Sequence, residues 1–171
     1  DSEWLLVGWR KKLHNAEVLL LSADGSERIN LTESGYMDMT PKWAGEGDRL
    51  IWFTNRDGLR SYATSGQTER DVYAMFLTGE SWDKFNLSED DYELMQEMEK
   101  AAKGDDDEDE EAESEGPESF DFELDERRQR EARLTIHSST LSDAVLSKDG
   151  ETLYYLTRFE DDYNLWETDL R

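Results

Sequence analysis

One stretch of this chain, residues 40–75, is compatible with few folds. It reads Thr40-Pro41-Lys42-Trp43, Ala44-Gly45-Glu46-Gly47-Asp48, then Arg49-Leu50-Ile51-Trp52-Phe53-Thr54. The turn Asn55-Arg56-Asp57-Gly58 follows, and after a polar loop comes Asp71-Val72-Tyr73-Ala74-Met75. β-Branched and aromatic runs alternate with Gly- and Asp-bearing turns, the pattern of strand, turn and strand. Leu50, Trp52 and Thr54 fall on one face of the middle strand, Ile51 and Phe53 on the other. Both faces are largely apolar, so such a sheet must be covered on both sides. A four-stranded blade stacked between two others in a β-propeller meets that demand.

The pattern recurs on either side. Upstream, Trp4-Leu5-Leu6-Val7-Gly8-Trp9-Arg10 aligns with residues 50–56, and Glu17-Val18-Leu19-Leu20-Leu21 with residues 71–75. Downstream, Leu146-Ser147-Lys148-Asp149-Gly150 aligns with residues 43–47, Leu153-Tyr154-Tyr155-Leu156-Thr157 with 50–54, and Asn164-Leu165-Trp166 with 71–73. Without its insertions the repeat is about 45 residues, the length of a propeller blade. The expectation is an all-β fold: a partial β-propeller of about three four-stranded antiparallel blades. The blade segments are 1–35, 36–88 together with 118–136, and 141–171, and residues 89–117 form a helical and acidic insertion. The first blade is read as lacking its innermost strand and the third its outer one. The chain opens and closes within strand patterns, as an excerpt of a longer protein would.

Composition narrows the partners. A net charge of −24 argues against nucleic acid and anionic membrane surfaces. Without cysteine, disulfides, thiol catalysis and Cys-ligated zinc are excluded. No apolar run is long enough for membrane insertion, and no signal peptide opens the chain.

Between residues 75 and 120 the strand pattern stops. Ser88-Glu89-Asp90-Asp91 reads as a capped helix start, with acidic residues in the positive first turn. Tyr92, Met95, Met98 and Ala102 share a helical face suited to packing on the rim, and Gly104 suits the helix end. Residues 105–115 are almost entirely acidic, and disorder is the expectation. Beyond it, residues 126–133 have helical propensity, yet Phe122 and Leu124 alternate, as do Ala132, Leu134 and Ile136. Arg133-Leu134-Thr135 also echoes Asn30-Leu31-Thr32. This segment is read as the outer strand of the second blade, reached after a long detour.

No constellation here carries chemistry. Asp105, Asp107 and Asp109 have Glu110 where a calcium loop needs glycine. His137 beside Ser138 and Ser139 lacks a nucleophile elbow and reads as a strand-end loop. Gly45-x-Gly47 joins two strands and precedes no helix, so it is a turn and not a phosphate cradle. Asn30-Leu31-Thr32 and Asn86-Leu87-Ser88 match the glycosylation sequon, the first at a blade end where chance accounts for it. No catalytic, cofactor-binding or metal-ligating residue is assigned.

The motif Pro41-x-Trp43, Gly47, residues 50–56 and Asp71-Val72-Tyr73 resembles the propeller repeat of TolB-like and tricorn-type proteins. Phe122-Glu123-Leu124-Asp125, Arg130 and Arg133-Leu134-Thr135 resemble a segment of tricorn-type serine peptidases. There too it follows a charged insertion and precedes the next blade. Glu126, Arg127 and Arg128 stand where that segment usually carries turn-forming and apolar residues. The resemblance spans essentially the whole chain. It implies a non-catalytic propeller that guides or gates peptides toward a catalytic domain elsewhere. Implied partners are peptides and the remaining blades and catalytic domain of a parent protein, with self-association of the piece alone. It also implies an exported, periplasmic location, with a cytoplasmic one left open. A TolB-like protein-binding module and the propeller of a prolyl-oligopeptidase-type enzyme are the competing readings.

Overall fold

In the computed structural model, residues 3–61, 63, 67–103 and 122–171 are described. The acidic tract 105–115, with Asp105, Asp107 and Asp109, and Gly104 lie outside them. Strands β1 (Trp4–Lys12), β2 (Asn15–Ser22) and β3 (Arg28–Asn30) form one antiparallel sheet in that order. Strands β4 (Met39–Ala44), β5 (Arg49–Thr54), β6 (Asp71–Phe76) and β7 (Glu131–Arg133) form a second, and β8 (Thr140–Leu146), β9 (Thr152–Arg158) and β10 (Asn164–Asp169) a third. Between β6 and β7 the chain leaves the sheet through α1 (Gly79–Phe85) and α2 (Glu89–Lys103). The fold is all-β, a partial propeller-like stack of three sheets.

The alternation in β5 and β6 decides the stacking. Leu50, Trp52, Tyr73 and Met75 pack with Val18, Leu20 and Leu31 of the first sheet. Ile51, Phe53, Val72, Ala74 and Phe76 pack with Leu141, Ala144, Leu146, Leu153 and Tyr155 of the third. Every residue of β6 is buried, as is every residue of β5 after Arg49. Burying each large apolar side chain contributes ~1.5–3 kcal/mol, so both sheet interfaces are strongly driven. Gly150 allows one close approach between sheets: its φ is +78°, and a Cβ there would lie 2.6 Å from Arg49 Nη1.

The short outer strands are fastened by a clamp that recurs in two sheets. In the first, Val18 N donates to Thr32 Oγ1 at 3.1 Å, Thr32 Oγ1 donates to Glu17 at 2.9 Å, and Leu31 N donates to Val18 O at 2.8 Å. In the second, Val72 N donates to Thr135 Oγ1 at 3.2 Å, Thr135 Oγ1 donates to Asp71 at 2.9 Å, and Leu134 N donates to Val72 O at 2.8 Å. The Leu-Thr echo in the sequence is this clamp: threonine accepts from a buried amide and donates a hydrogen bond to a buried carboxylate. Burial opposes ionisation of Glu17, but hydrogen bonds from Asn15, Thr32 and the Ser34 and Gly35 amides hold its pKa below the ordinary value.

Several sequence expectations change. The β1 repeat alignment is displaced by one residue: Gly8 lies opposite Val18 as Phe53 lies opposite Val72, so Leu6 corresponds to Ile51 and not to Trp52. A one-residue slip exchanges the faces of a strand, and packing settles it. The outer strand of the second sheet is only Glu131–Arg133, and Phe122 and Leu124, despite alternating, do not extend it. Phe122 instead stacks on Trp43 and meets Trp4 at a tilt, with ring centroids 6.0 Å apart in each pair. Helical propensity near residue 126 appears as a single 3-10 turn, Arg127–Gln129, entered through Glu126 at φ 57°. Finally, α1 is an addition in residues 76–87, where the strand pattern has stopped and the sequence reading has no helix; Thr78 Oγ1 caps it by accepting from Ser81 N at 3.2 Å. On α2, Tyr92 is buried beneath Arg171, 3.9 Å from the ring, whereas Met98 is 65% exposed. The helix packs on the rim through its first turns.

Replacing Thr135 by Val keeps the shape and removes the hydroxyl, leaving the buried Val72 amide unpaired. Urea unfolding should show a loss of about 1–3 kcal/mol. An unchanged midpoint would show that the clamp contributes nothing to stability.

Candidate functional site

The loop after β5, the link from β7 to β8 and the loop after β9 meet at one end of the sheets. Backbone bonds between Arg70 and Ser139, at 2.7 and 3.1 Å, join the first two. Beside them lies a groove of about 750 Å³, within the size range of ligand sites. Its floor is made by the β9–β10 hairpin, where register places Trp166 opposite Tyr155 and Thr168 opposite Leu153. Phe159, just past the end of β9, meets Trp166 edge-on at 5.1 Å and 83°. Ile136 and His137 form the other lip, and Glu160, Asp161, Asp162 and Glu167 supply carboxylates.

His137 therefore lies at a groove, but the serines beside it are otherwise engaged. Ser138 Oγ donates to Asp71 Oδ2 at 2.8 Å and accepts from Arg133 Nη2 at 3.2 Å. Ser139 Oγ accepts from Thr157 Oγ1 at 2.6 Å. Asp71, fully buried, also receives Arg133 Nε at 3.0 Å and Nη2 at 2.7 Å. Serine, histidine and aspartate are thus neighbours, yet the aspartate binds the serine and the arginine and not the imidazole. That arrangement fixes strand ends and cannot relay a proton from serine to histidine. Gly45-x-Gly47 is the turn between β4 and β5, with φ of 60° and 106° at its glycines.

A second polar cluster lines the same end of the central sheet. Arg56 Nη1 donates to Glu131 Oε2 at 2.8 Å, and its guanidinium lies 4.7 Å from the Tyr73 ring. Tyr73 donates its hydroxyl to Asp57 Oδ2 at 2.6 Å. Sequence reasoning flagged none of Trp166, Phe159 or Tyr155. The one local hint is an acidic run, 160–162, flanked by Phe159 and Tyr163 in a loop between strands.

No protein family matches this sequence, and no curated protein does. Among solved structures, the crystal structure of the tricorn protease is similar to this chain, with a TM-score of 0.56 over 96% of the chain. Identity is 9%, and the match spans 16% of the tricorn protease chain. At that identity the likeness shows a tricorn-like fold and nothing finer.

Burial, followed by the bond to Asp57, pushes the Tyr73 pKa up to about 12. Tyrosine ordinarily titrates near 10, so the folded state holds this proton more tightly than the unfolded one. The stabilisation is complete below about pH 10 and is lost as pH rises toward about 12. Tyr73→Phe should flatten the fall in stability across that window, measured by denaturant unfolding at stepped pH. Identical slopes in both proteins would contradict the assignment.

Proposed function

We propose that this chain is a non-catalytic propeller segment of a tricorn-like peptidase, guiding or gating peptides toward a catalytic domain outside it. The observation that carries the reading is the structural likeness to the tricorn protease across 96% of the chain. The residues around 122–135 support it independently, since their order after a charged insertion resembles the tricorn-type segment. The engagement of Ser138 and Ser139 in strand-end bonds supports the non-catalytic part. Export to the periplasm is the location in keeping with the resemblance.

Further blades of a parent protein are the proposed structural partners. Leu5, on the outer face of the first sheet, is 50% exposed. On the outer face of the third, Val145 is 56% and Leu165 is 72% exposed. The central-sheet counterparts of Leu5 and Leu165 are Leu50 and Val72, and both are covered by a neighbouring sheet. A second sheet on each side would cover them in the same way.

Two measurements test the proposal. Incubated with unstructured peptides and a serine-reactive probe, the chain should release no fragments and take no label. Cleavage abolished by His137→Ala or Ser138→Ala would overturn the non-catalytic reading. The coding sequence beyond Arg171 should specify a PDZ-like module and a distal serine, whereas a Gly-x-Ser-x-Gly elbow would assign a prolyl-oligopeptidase-type enzyme instead.

The open faces generate their own expectation. Light scattering across a concentration series should show self-association, reduced by Val145→Glu with Leu165→Glu. A monodisperse monomer at every concentration would contradict the need for neighbouring blades.

A further inference from the structure

Resting on the peptide-guiding reading, we infer that the groove over the β9–β10 hairpin takes the cationic side chain, arginine or lysine, of an extended peptide. Its floor offers aromatic faces in a corner: Trp166 and Phe159 stand at 83° with centroids 5.1 Å apart, and Tyr155 lies across from Trp166 in the register. Thr168 Oγ1 donates to the Tyr155 hydroxyl at 3.4 Å, which holds that ring from the strand. Trp166 is 45% and Phe159 42% exposed, so the corner is open to a ligand. Aromatic faces attract cations through their negative quadrupole, and more so where water is partly excluded.

Charge gives the corner its selectivity. Glu160, Asp161, Asp162 and Glu167 line the groove, and among the described residues none of them is in an ion pair. Two well-buried carboxylates at this end do have cationic partners: Glu131 with Arg56, and Asp71 with Arg133. Arg158, the cation next in sequence to the acidic run, lies over the Tyr163 ring at 5.6 Å. Unmatched carboxylates around an aromatic corner repel anions and give a neutral apolar side chain no advantage. A guanidinium or ammonium gains both the ring faces and the charges, and its aliphatic stem suits the Ile136 lip. A volume of about 750 Å³ has room for such a side chain together with some of its backbone.

The test compares two labelled, unstructured peptides that differ only at one central residue, arginine or norleucine. Fluorescence anisotropy against the 171-residue chain should show the arginine peptide binding at least about tenfold more tightly. Trp166→Leu should erase that preference, and so should Asp162→Asn with Glu167→Gln, a pair of exposed changes that leaves the core intact. Glu46→Gln with Asp125→Asn removes as much charge from exposed positions outside the groove and should leave the preference in place. If this control pair erases it as fully, the attraction belongs to the chain's overall charge and the inference fails. Equal binding of both peptides would overturn the groove assignment while leaving peptide guiding intact. Binding of neither would overturn both.

Discussion

A sheet that is apolar on both faces cannot present either face to water, and this constraint organises the molecule. Strands β5 and β6 bury Leu50, Trp52 and Met75 on one side and Ile51, Phe53 and Val72 on the other. The first and third sheets are held in place as the covers those faces require. Burial drives the stacking in proportion to area without fixing direction, so registration between sheets comes from polar contacts at their margins. Lys42 supplies one, bonding Asp143 and, at 2.9 Å, the Ala144 carbonyl of the neighbouring sheet. Arg127 supplies another, donating to Leu31 O at 3.2 Å and Asn30 O at 2.6 Å.

Outer strands of three residues have little ladder of their own, which explains why the acid–threonine clamp recurs there. It also explains how the second sheet tolerates a long excursion between its third and fourth strands. Lengthening a loop adds only slowly to the entropy of closing it, so a well-fastened strand can be reached from far along the chain. The fastening is dense: Arg130 Nε meets Phe76 O at 3.2 Å, Glu123 N meets Leu77 O at 2.8 Å, and Asp71 receives Arg133, Thr135 and Ser138. Arg171 fastens the excursion from the third sheet, donating to Lys84 O at 3.2 Å and Phe85 O at 3.0 Å at the end of α1, where a cation also suits the helix dipole.

The same clamp accounts for the absence of a proton relay beside His137. Asp71 is fully buried, so its oxygens need hydrogen-bond donors, and Ser138 is one of them. A serine committed to that carboxylate serves the strand ends. The neighbouring groove has the opposite character: its carboxylates lie on exposed residues without cationic partners, beside aromatic faces that the third sheet leaves open. One end of the molecule thus holds a hydrogen-bonded network around Asp71 next to a groove whose carboxylates, among the described residues, have no ion-pair partner.

The sequence by itself determined the all-β class, the repeat, the strand turns and the Ser88 cap of α2. Each is written in local periodicity or in residues a few positions apart. α1 is not among them, although its Thr78 cap is equally local. Tertiary structure alone decided the register of β1, because a strand with apolar residues on both faces leaves its facing open until a neighbour covers one side. It also decided that Phe122 leaves the strand pattern to pack between Trp4 and Trp43, partners more than seventy residues away. The groove is divided between the two sources. Its floor comes from one hairpin, Tyr155 to Trp166, whereas its other lip, Ile136 and His137, arrives with the link from the second sheet. A concavity requires both walls, and the distance between walls in space is set by packing and not by spacing along the chain.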